Sequence, residues 1–357
     1  MRIGLAYDLQ TDPTDERQAE FDPPATLDAV SGALAALGHA PVRLGSADDV
    51  LGRPERLRDV ELVFNLAEGR HGRCREAWMP TLLELLRIPY VGSDPLALSL
   101  GLDKVMSKRV ALAEGIATPR WVNVDRPSLL APVLPLALPV IVKPRFEGSG
   151  RGIDAGAVVR TREALAARVN RLYERCRQPA LVEEFIGHGE LTVLVIGNDP
   201  STRPAFRRGS LEIALPAVQR PIDRATRLSC HVVTPVPSTA AGGPGQDTPW
   251  ECPLTLDAAL DGEARRIAVR MFEAIGCRDV ARVDLRADEQ GRLHFLEINP
   301  LPSFAPDGSF GLLAEHLGTT YTEMIGRVLD AACRRLGLPA RGPRAAPQPA
   351  APNHGRV

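Results

Sequence analysis

The chain has 357 residues, enough for two or three domains with a sizeable hydrophobic core. Its formal net charge is −1 and 44% of its residues are hydrophobic, which argues against bulk binding to nucleic acid or to an acidic membrane. No apolar run reaches transmembrane length, and the first ten residues lack the apolar core of a signal peptide. The six cysteines are scattered without a Cys-x-x-Cys pair, so we expect a cytoplasmic protein with free thiols.

The first part of the chain predicts a small parallel sheet covered by helices. Apolar strands are predicted at 3–7, 41–44 and 61–66. A helix at 26–37 lies between the first two strands and ends at Gly38, which gives the β-α-β order typical of parallel sheets. A fourth strand at 88–91 leads into a single helix at 96–114. Lys104 lies on that helix, where an ordinary surface lysine is the default interpretation.

A glycine-rich loop, EGSGRG at 147–152, is the first candidate binding element. It follows a strand at 120–124, a proline-rich loop at 127–139 and a buried strand at 140–143 that ends in Lys143. Alternating glycines let backbone amides approach an anion closely. The loop is neither a Walker motif nor a dinucleotide fingerprint, since a second strand is predicted at 153–159. It predicts a flap over phosphates, and a plain flexible hairpin is the alternative. Lys143 favours the flap because a buried lysine needs an anionic partner.

Acidic residues mark the strands that follow. A helix is predicted at 161–175 and strands at 180–186 and 191–197. Glu183 and Glu184 point to opposite sides of their strand, so one of them should face a cleft. Glu190 begins the next strand.

The remaining elements lead to a β-hairpin. Strands are predicted at 210–215 and 228–234, a mobile lid or disordered segment at 235–253, helices at 256–275, 310–317 and 321–336, and a disordered tail at 339–357. The hairpin joins 280–287 to 293–298 through a polar turn that contains Gly291.

One face of the predicted hairpin carries a candidate metal site. Alternation puts Arg282 and Asp284 on one face of the first strand, and Glu297 and Asn299 on one face of the second. Two carboxylates and an amide oxygen are suited to a hard cation such as Mg²⁺, which keeps coordination sites for phosphate. A solvated polar face is the alternative.

The order of these elements resembles the ATP-grasp superfamily, and most closely the D-alanine–D-alanine ligases. The order is Asp103-Lys104, IVKP with a glycine flap, VEEFI, Glu190, ARVDLR and LEINP, and the likeness runs from Ile3 to about Leu336. The resemblance implies an α/β and α+β protein: an ATP-grasp fold with an N-terminal Rossmann-like domain. It implies a substrate-binding domain at 1–98, a central ATP-grasp subdomain at 99–187 and a C-terminal subdomain at 188–338.

The resemblance also implies roles for individual residues. Lys104 and Lys143 would contact ATP phosphates under a flap that contains Gly148, Ser149 and Gly150. Glu183 and the backbone near Phe185 and Ile186 would hold adenine, and Glu190 would hold the ribose hydroxyls. Two Mg²⁺ ions, for which Mn²⁺ can substitute, would be held by Asp284, Glu297 and Asn299. The catalytic residues would be Lys143, Ser149 and Arg282, with Arg282 stabilising the oxyanion of a tetrahedral intermediate.

The implied reaction joins two small amino-acid-like substrates. The carboxylate of one attacks the γ-phosphate of ATP to give an acyl phosphate, which the amine of the other converts into an amide with release of phosphate. A cytoplasmic homodimer is expected, with no nucleic-acid or membrane partner. A small-molecule kinase and a non-catalytic nucleotide-binding protein are the alternatives.

Departures from the family pattern concern the substrate pocket. The family glutamate that holds the first ammonium group has no direct match, and Glu16, Glu20 and Asp22 are the candidates to replace it. The Lys-Tyr pair of the family's mobile loop is absent from 234–253, and Pro300 and Pro302 stand where the family has small residues. We therefore expect substrates other than D-alanine, with an ordinary D-alanine–D-alanine ligase as the alternative.

Overall fold

The computed structural model describes residues 1–131, 134–198, 213–229, 252–253 and 257–339. These residues form three sheets, each accompanied by helices. No helix among them is long and apolar enough to cross a membrane. The predicted segment at 235–253 and the tail lie largely outside the described residues, as do half of the strand predicted at 210–215 and most of that predicted at 228–234.

The first sheet confirms the predicted parallel arrangement. Its spatial order is β2-β1-β3-β4, and all of its pairings are parallel. The strands are β1 (Arg2–Tyr7), β2 (Ala40–Gly45), β3 (Leu62–Leu66) and β4 (Tyr90–Val91). The accompanying helices are α1 (Pro24–Ala36), α2 (Ala47–Gly52) and α3 (Trp78–Leu85). The short helix α2 is not predicted by periodicity and begins with a capping box between Ser46 and Asp49.

The prediction of a single helix at 96–114 is wrong, because the chain forms two helices there. They are α4 (Pro95–Leu102) and α5 (Lys104–Ala113), separated by Asp103 in an extended conformation. The Asp103 carboxylate caps α5 by accepting hydrogen bonds from the backbone N–H groups of Val105 and Met106. It also accepts two hydrogen bonds of 2.7 Å from the guanidinium of Arg145. This break makes Lys104 the first residue of α5.

The second sheet is antiparallel and carries the glycine-rich loop. Its order is β5-β8-β6-β7. The strands are β5 (Trp121–Val124), β6 (Val140–Pro144), β7 (Val158–Val159) and β8 (Ala180–Glu184), and helix α6 (Arg162–Cys176) packs on them. The strand predicted at 153–159 is shortened to β7, because Asp154 forms a turn in which it accepts a hydrogen bond from the N–H of Gly156. The glycine-rich loop is correspondingly longer than predicted.

The third sheet contains the hairpin. Its order is β11-β10-β9-β12-β13, and all of its pairings are antiparallel. The strands are β9 (Glu190–Ile196), β10 (Val218–Arg220), β11 (Cys252–Pro253), β12 (Val280–Ala287) and β13 (Leu293–Asn299). The helices are α7 (Ala258–Ile275), α8 (Ser309–His316) and α9 (Tyr321–Leu336), of which α9 has the predicted bounds. β10 is not predicted, and within the described parts of 210–215 and 228–234, Ala214 and Ser229 form only isolated bridges.

The segment after Asn299 returns the chain to the first sheet. Phe304 packs on Phe64 of β3 with ring centroids 5.2 Å apart, in a core shared by β1, β3, α8 and α9. Pro300 contacts α4 at Gly101, where an added Cβ would lie 2.4 Å from the Pro300 ring. These contacts hold the end of the hairpin against the N-terminal part of the protein.

Asp8, which follows β1, and the neighbouring Asp22 give the protein a pH-dependent stability. Asp22 is 7% exposed, and burial, followed by the charge of Asp8, raises the pKa of Asp22 to about 7. Between about pH 4 and 7 the folded chain therefore holds a proton that the unfolded chain releases, so this residue lowers stability as the pH rises. We expect Asp22→Asn to be more stable than the parent at pH 8 by up to about 4 kcal/mol, with little difference at pH 4.

Urea denaturation at the two pH values measures this effect. The matched control is Asp28→Asn, because Asp28 is an exposed acid paired with Arg43 and should show no such pH dependence. An Asp22→Asn variant that is equally stable to its parent at pH 8 would contradict the assignment.

Candidate active site

The hairpin brings the four predicted residues of its polar face together. In the register of β12 and β13, Arg282 lies opposite Asn299 and Asp284 lies opposite Glu297. A β-bulge follows, in which Leu285 pairs with Phe295. The register therefore places the two carboxylates side by side at one end of the sheet.

Asp284 is buried and held on three sides. Thr192 of β9 donates a hydrogen bond of 2.7 Å to its carboxylate, and Arg282 donates from its guanidinium at 3.0 Å. The Asn299 amide lies 3.5 Å away. These contacts fix the orientation of the Asp284 carboxylate.

Glu297 stays ionised because of the cations around it. The ammonium group of Lys104 lies 3.1 Å from its carboxylate, and Lys104 also donates to the carbonyl of Glu147 in the glycine-rich loop. Burial by itself would raise the pKa of Glu297, but Lys104 and Lys143 outweigh it and lower the pKa to about 2. The break before α5 thus has a clear consequence: it buries Lys104 against the hairpin rather than leaving it on a helix surface.

Lys143 has a protein partner, which sequence reasoning did not identify. β6 and β8 are adjacent, and the Lys143 ammonium lies 2.5 Å from the carboxylate of Glu183. The same carboxylate lies 2.9 Å from Lys108, which is fully buried. Burial would raise the pKa of Glu183, but the two lysines lower it, while burial lowers the pKa of Lys108 to about 8. Glu184, by contrast, faces Arg120 at 3.4 Å near the surface.

A first cleft of about 690 Å³ lies between the second and third sheets. Of the predicted site residues it is lined by Lys143, Gly150, Glu183, Phe185, Ile186, Glu190, Asp284 and Glu297. Arg286, which sequence reasoning missed, donates to Glu190 at 2.7 Å and to the carbonyl of Ile186 at 2.7 Å. Its place two residues after Asp284, on the same face of β12, was the signal that could have found it.

A second cleft of about 570 Å³ adjoins the first at Glu297, which lines both. It contains the remaining predicted residues, which are Lys104, Gly148, Ser149, Arg282 and Asn299. Pro300 and Pro302 also line it. The glycine-rich loop separates the two clefts, and its tight turn has positive φ angles of 46° at Ser149 and 70° at Gly150.

Among the three candidate acids of the N-terminal segment, only Glu20 lines the second cleft. It accepts a hydrogen bond of 2.7 Å from the N–H of Gly148 and one of 2.6 Å from Arg75. Arg75 also donates to the carbonyl of Phe146 at 2.8 Å. Glu16 pairs instead with Arg175 in an exposed ion pair. Glu20 and Arg75 therefore connect the N-terminal part of the chain to the glycine-rich loop.

Two further acids line the second cleft and were missed from the sequence. Glu76 is 7% exposed and Glu68 is half-buried. Burial raises the pKa of Glu76 to about 8 against the opposing effect of Arg75, and burial together with Glu76 raises the pKa of Glu68. In the sequence, these two acids were indicated only by the many charged residues of the loop that precedes α3.

The donor set of the hairpin fits Mg²⁺ bound together with phosphate. Within the described ranges, no group of three or more His, Cys, Asp or Glu side chains could hold a metal ion alone. Asp284 and Glu297 supply two carboxylates to the first cleft, and Asn299 supplies an amide oxygen from the adjoining second cleft. Mg²⁺ is typically held by one or two carboxylates and completes its octahedron with phosphate oxygens and water.

Two sheets that face each other across a cleft, a glycine-rich loop and an acidic hairpin define an ATP-grasp protein. Comparisons with known proteins specify the class further. The family model described as D-Ala-D-Ala ligase C-terminus matches residues 112–210 and 243–330. The D-alanine–D-alanine ligase of Cupriavidus metallidurans is 32% identical over 279 residues, covering 76% of this chain and 75% of the relative. An uncharacterized protein of Sinorhizobium fredii is 33% identical over 315 residues, covering 86% and 87%.

A solved structure shows the same fold. The D-alanine–D-alanine ligase from Bacillus anthracis complexed with ATP matches with a TM-score of 0.70 at 20% identity, covering 94% of this chain and 98% of that one. The chain belongs to the D-alanine–D-alanine ligase family. It is an ATP-dependent, carbon–nitrogen bond-forming ligase with the ATP-grasp fold, and its family acts on small amino-acid substrates.

Proposed function

We propose that the protein joins two amino-acid-like substrates through an amide bond, with an acyl phosphate as intermediate and ADP and phosphate as products. The observation that carries the proposal is the meeting of two clefts at Glu297. The first has the residues for a nucleotide, Lys104 lies at the junction beside Glu297 and would contact the phosphates, and the second has Arg282 for an oxyanion. A phosphoryl group can pass between them only at that junction.

In the first cleft, the chain's own residues bind and orient ATP. Glu183 and the backbone at Phe185 and Ile186 face the adenine, and Glu190 faces the ribose. Lys143 faces the phosphates under the flap of Gly148, Ser149 and Gly150. The support is that Lys143, Glu183 and Glu190 are buried, and that Lys108 and Arg286 fix the two glutamates. Such fixed charges stabilise developing charge without reorganisation.

Asp284, Glu297 and Asn299 would hold Mg²⁺ as two ions, and Mn²⁺ would fit the same oxygens. When bound, the metal offsets the charge of the phosphates. The low pKa of Glu297 supports this assignment, because a metal ligand must be deprotonated at neutral pH.

The chemical steps follow from the second cleft. A substrate carboxylate in that cleft attacks the γ-phosphorus while Lys104 and Lys143 contact the phosphates, and ADP leaves. The amine of the second substrate then attacks the acyl carbon while Arg282 and Ser149 face the oxyanion. Phosphate leaves with one oxygen of the original carboxylate, and the amine loses a proton.

The same proposal includes an altered pocket, with D-alanine not the preferred substrate. Its support is the acidic lining by Glu20, Glu68 and Glu76, together with the rigid Pro300 and Pro302. A pocket built to pair polar groups rejects analogues that lack them by large factors.

The proposed domains are 1–98, 99–187 and 188–338, in a cytoplasmic homodimer. The first, second and third sheets each draw all of their strands from one of these ranges, which supports the division.

Isotope transfer tests the acyl phosphate. With an amino acid labelled by ¹⁸O in its carboxylate, we expect label in inorganic phosphate and ADP as the nucleotide product. Label in AMP, with release of pyrophosphate, would indicate an adenylate and contradict the proposal. A stable phosphorylated product formed without any amine would indicate a kinase instead.

A further inference from the structure

The two unassigned acids of the second cleft suggest the chemistry of a substrate. Glu76 is more than nine-tenths buried and lines the cleft, and Glu68 lies beside it on the same loop between β3 and α3. Within the part of the chain that the structure describes, neither carboxylate forms a hydrogen bond or an ion pair. A buried carboxylate without a partner is costly, so a positive charge from a ligand is the natural complement.

The cations of the cleft are already paired with other acids. Lys104 lies 3.1 Å from Glu297, and Arg282 lies 3.0 Å from Asp284. Arg75 donates a hydrogen bond of 2.6 Å to Glu20. Among the described residues, Arg75 and Lys104 favour the ionised form of Glu76, but each of them forms its ion pair with another carboxylate, Glu20 and Glu297 respectively.

The position of these acids indicates which substrate they contact. The attacking amine must be unprotonated, and a carboxylate beside it would favour the unreactive ammonium form. Glu68 and Glu76 are thus suited to the substrate that donates the carboxyl group, whose ammonium groups do not react. The carboxylate of that substrate would point toward the junction of the two clefts at Glu297, where the γ-phosphate is proposed to lie.

Neither Glu68 nor Glu76 has an ion pair within the described residues, so each can accept an ammonium group of a ligand and ionise as it binds. Resting on the ligase function proposed above, we propose that the carboxyl-donating substrate is a diamino acid whose two ammonium groups pair with Glu68 and Glu76. Its carboxylate oxygen forms a bond to the γ-phosphorus as the bond to ADP breaks. No oxidant or other co-reactant is needed.

Hydroxylamine allows the donor to be tested without knowing the natural amine. Its nitrogen attacks the acyl carbon, phosphate leaves, and a hydroxamate forms together with ADP. The donors are 2,3-diaminopropionate, ornithine and lysine, each as both enantiomers. The neutral counterparts of similar length are alanine, norvaline and norleucine. We expect the best diamino acid to exceed its neutral counterpart by at least about 10-fold in kcat/KM, because a charge-assisted contact is worth that factor or more.

Variants connect the preference to the two acids. In Glu68→Gln and Glu76→Gln, the ratio of kcat/KM for the diamino acid to that for its neutral counterpart should fall at least about 10-fold. The control is Glu16→Gln, which removes an exposed acid outside the cleft and should keep the ratio. The comparison of donors on the unsubstituted protein does not depend on whether either variant folds.

The outcomes separate this inference from the function on which it rests. Equal or higher hydroxamate formation with the neutral donors, including D-alanine, would overturn the diamino acid while leaving the ligase function standing. A preference that survives in both variants would also overturn it. No hydroxamate and no ADP with any amino acid would overturn the ligase function, and the diamino acid with it.

Discussion

Glu297→Gln should lose at least about 10²-fold of turnover and bind Mg²⁺–ATP more weakly, while its fold survives. Glu297 lines both clefts, so its carboxylate faces the point at which a phosphoryl group would pass. Gln has nearly the same shape and keeps one oxygen for Lys104. The variant therefore removes the negative charge and a ligand for the metal rather than the packing of the hairpin.

The measurement is ADP release at several Mg²⁺ concentrations, with far-UV circular dichroism as the test of folding. Glu289→Gln is the control, because Glu289 is an exposed acid at the turn of the same hairpin and lies 3.5 Å from His188. It should keep normal turnover. A folded Glu297→Gln protein with near-normal turnover would contradict the metal assignment.

The hairpin was predictable because its pattern is local. Alternation alone puts Arg282 and Asp284 on one face, and a short turn with Gly291 brings Glu297 opposite Asp284. Helix α9 was likewise predictable, since its apolar period runs without interruption to Gly337. Elements of this kind need no information from elsewhere in the chain.

The rest of the site depends on contacts between distant segments. The break at Asp103 is stabilised by Arg145, and the choice of Glu20 over Glu16 depends on Gly148 and Arg75. No local pattern reports such pairings. For the same reason, the sequence predicts an anionic partner for Lys143 without identifying Glu183, which the register of β6 and β8 brings beside it.

That carboxylate gives the largest expected effect on stability: Glu183→Gln should lower the free energy of unfolding by about 3–5 kcal/mol at pH 7. Glu183 lies 2.5 Å from Lys143 and 2.9 Å from Lys108, and all three side chains are buried. Without the carboxylate, two buried ammonium groups face each other. Removing one partner of a buried ion pair costs more than the pair contributes, because the remaining charge cannot reach water.

Urea denaturation of the variants tests this explanation. Glu184→Gln, the neighbouring acid with an exposed partner in Arg120, should change stability by less than about 1 kcal/mol. Adding Lys108→Met to Glu183→Gln should recover part of the loss, since one of the two buried cations is then gone.

The pH dependence distinguishes lost charge balance from lost packing. The pKa of Lys108 is already lowered to about 8 by burial, and without Glu183 it should fall further. In the variant, the unfolded chain binds more protons than the folded chain from a lower pH upward than in the parent. The free energy of unfolding of the variant therefore rises with pH over a wider range. The deficit of Glu183→Gln should accordingly shrink between about pH 6 and 8, below the pH at which Lys108 of the parent also loses its proton. A deficit that stays constant over that range would mean that shape, and not the two buried lysines, explains the loss.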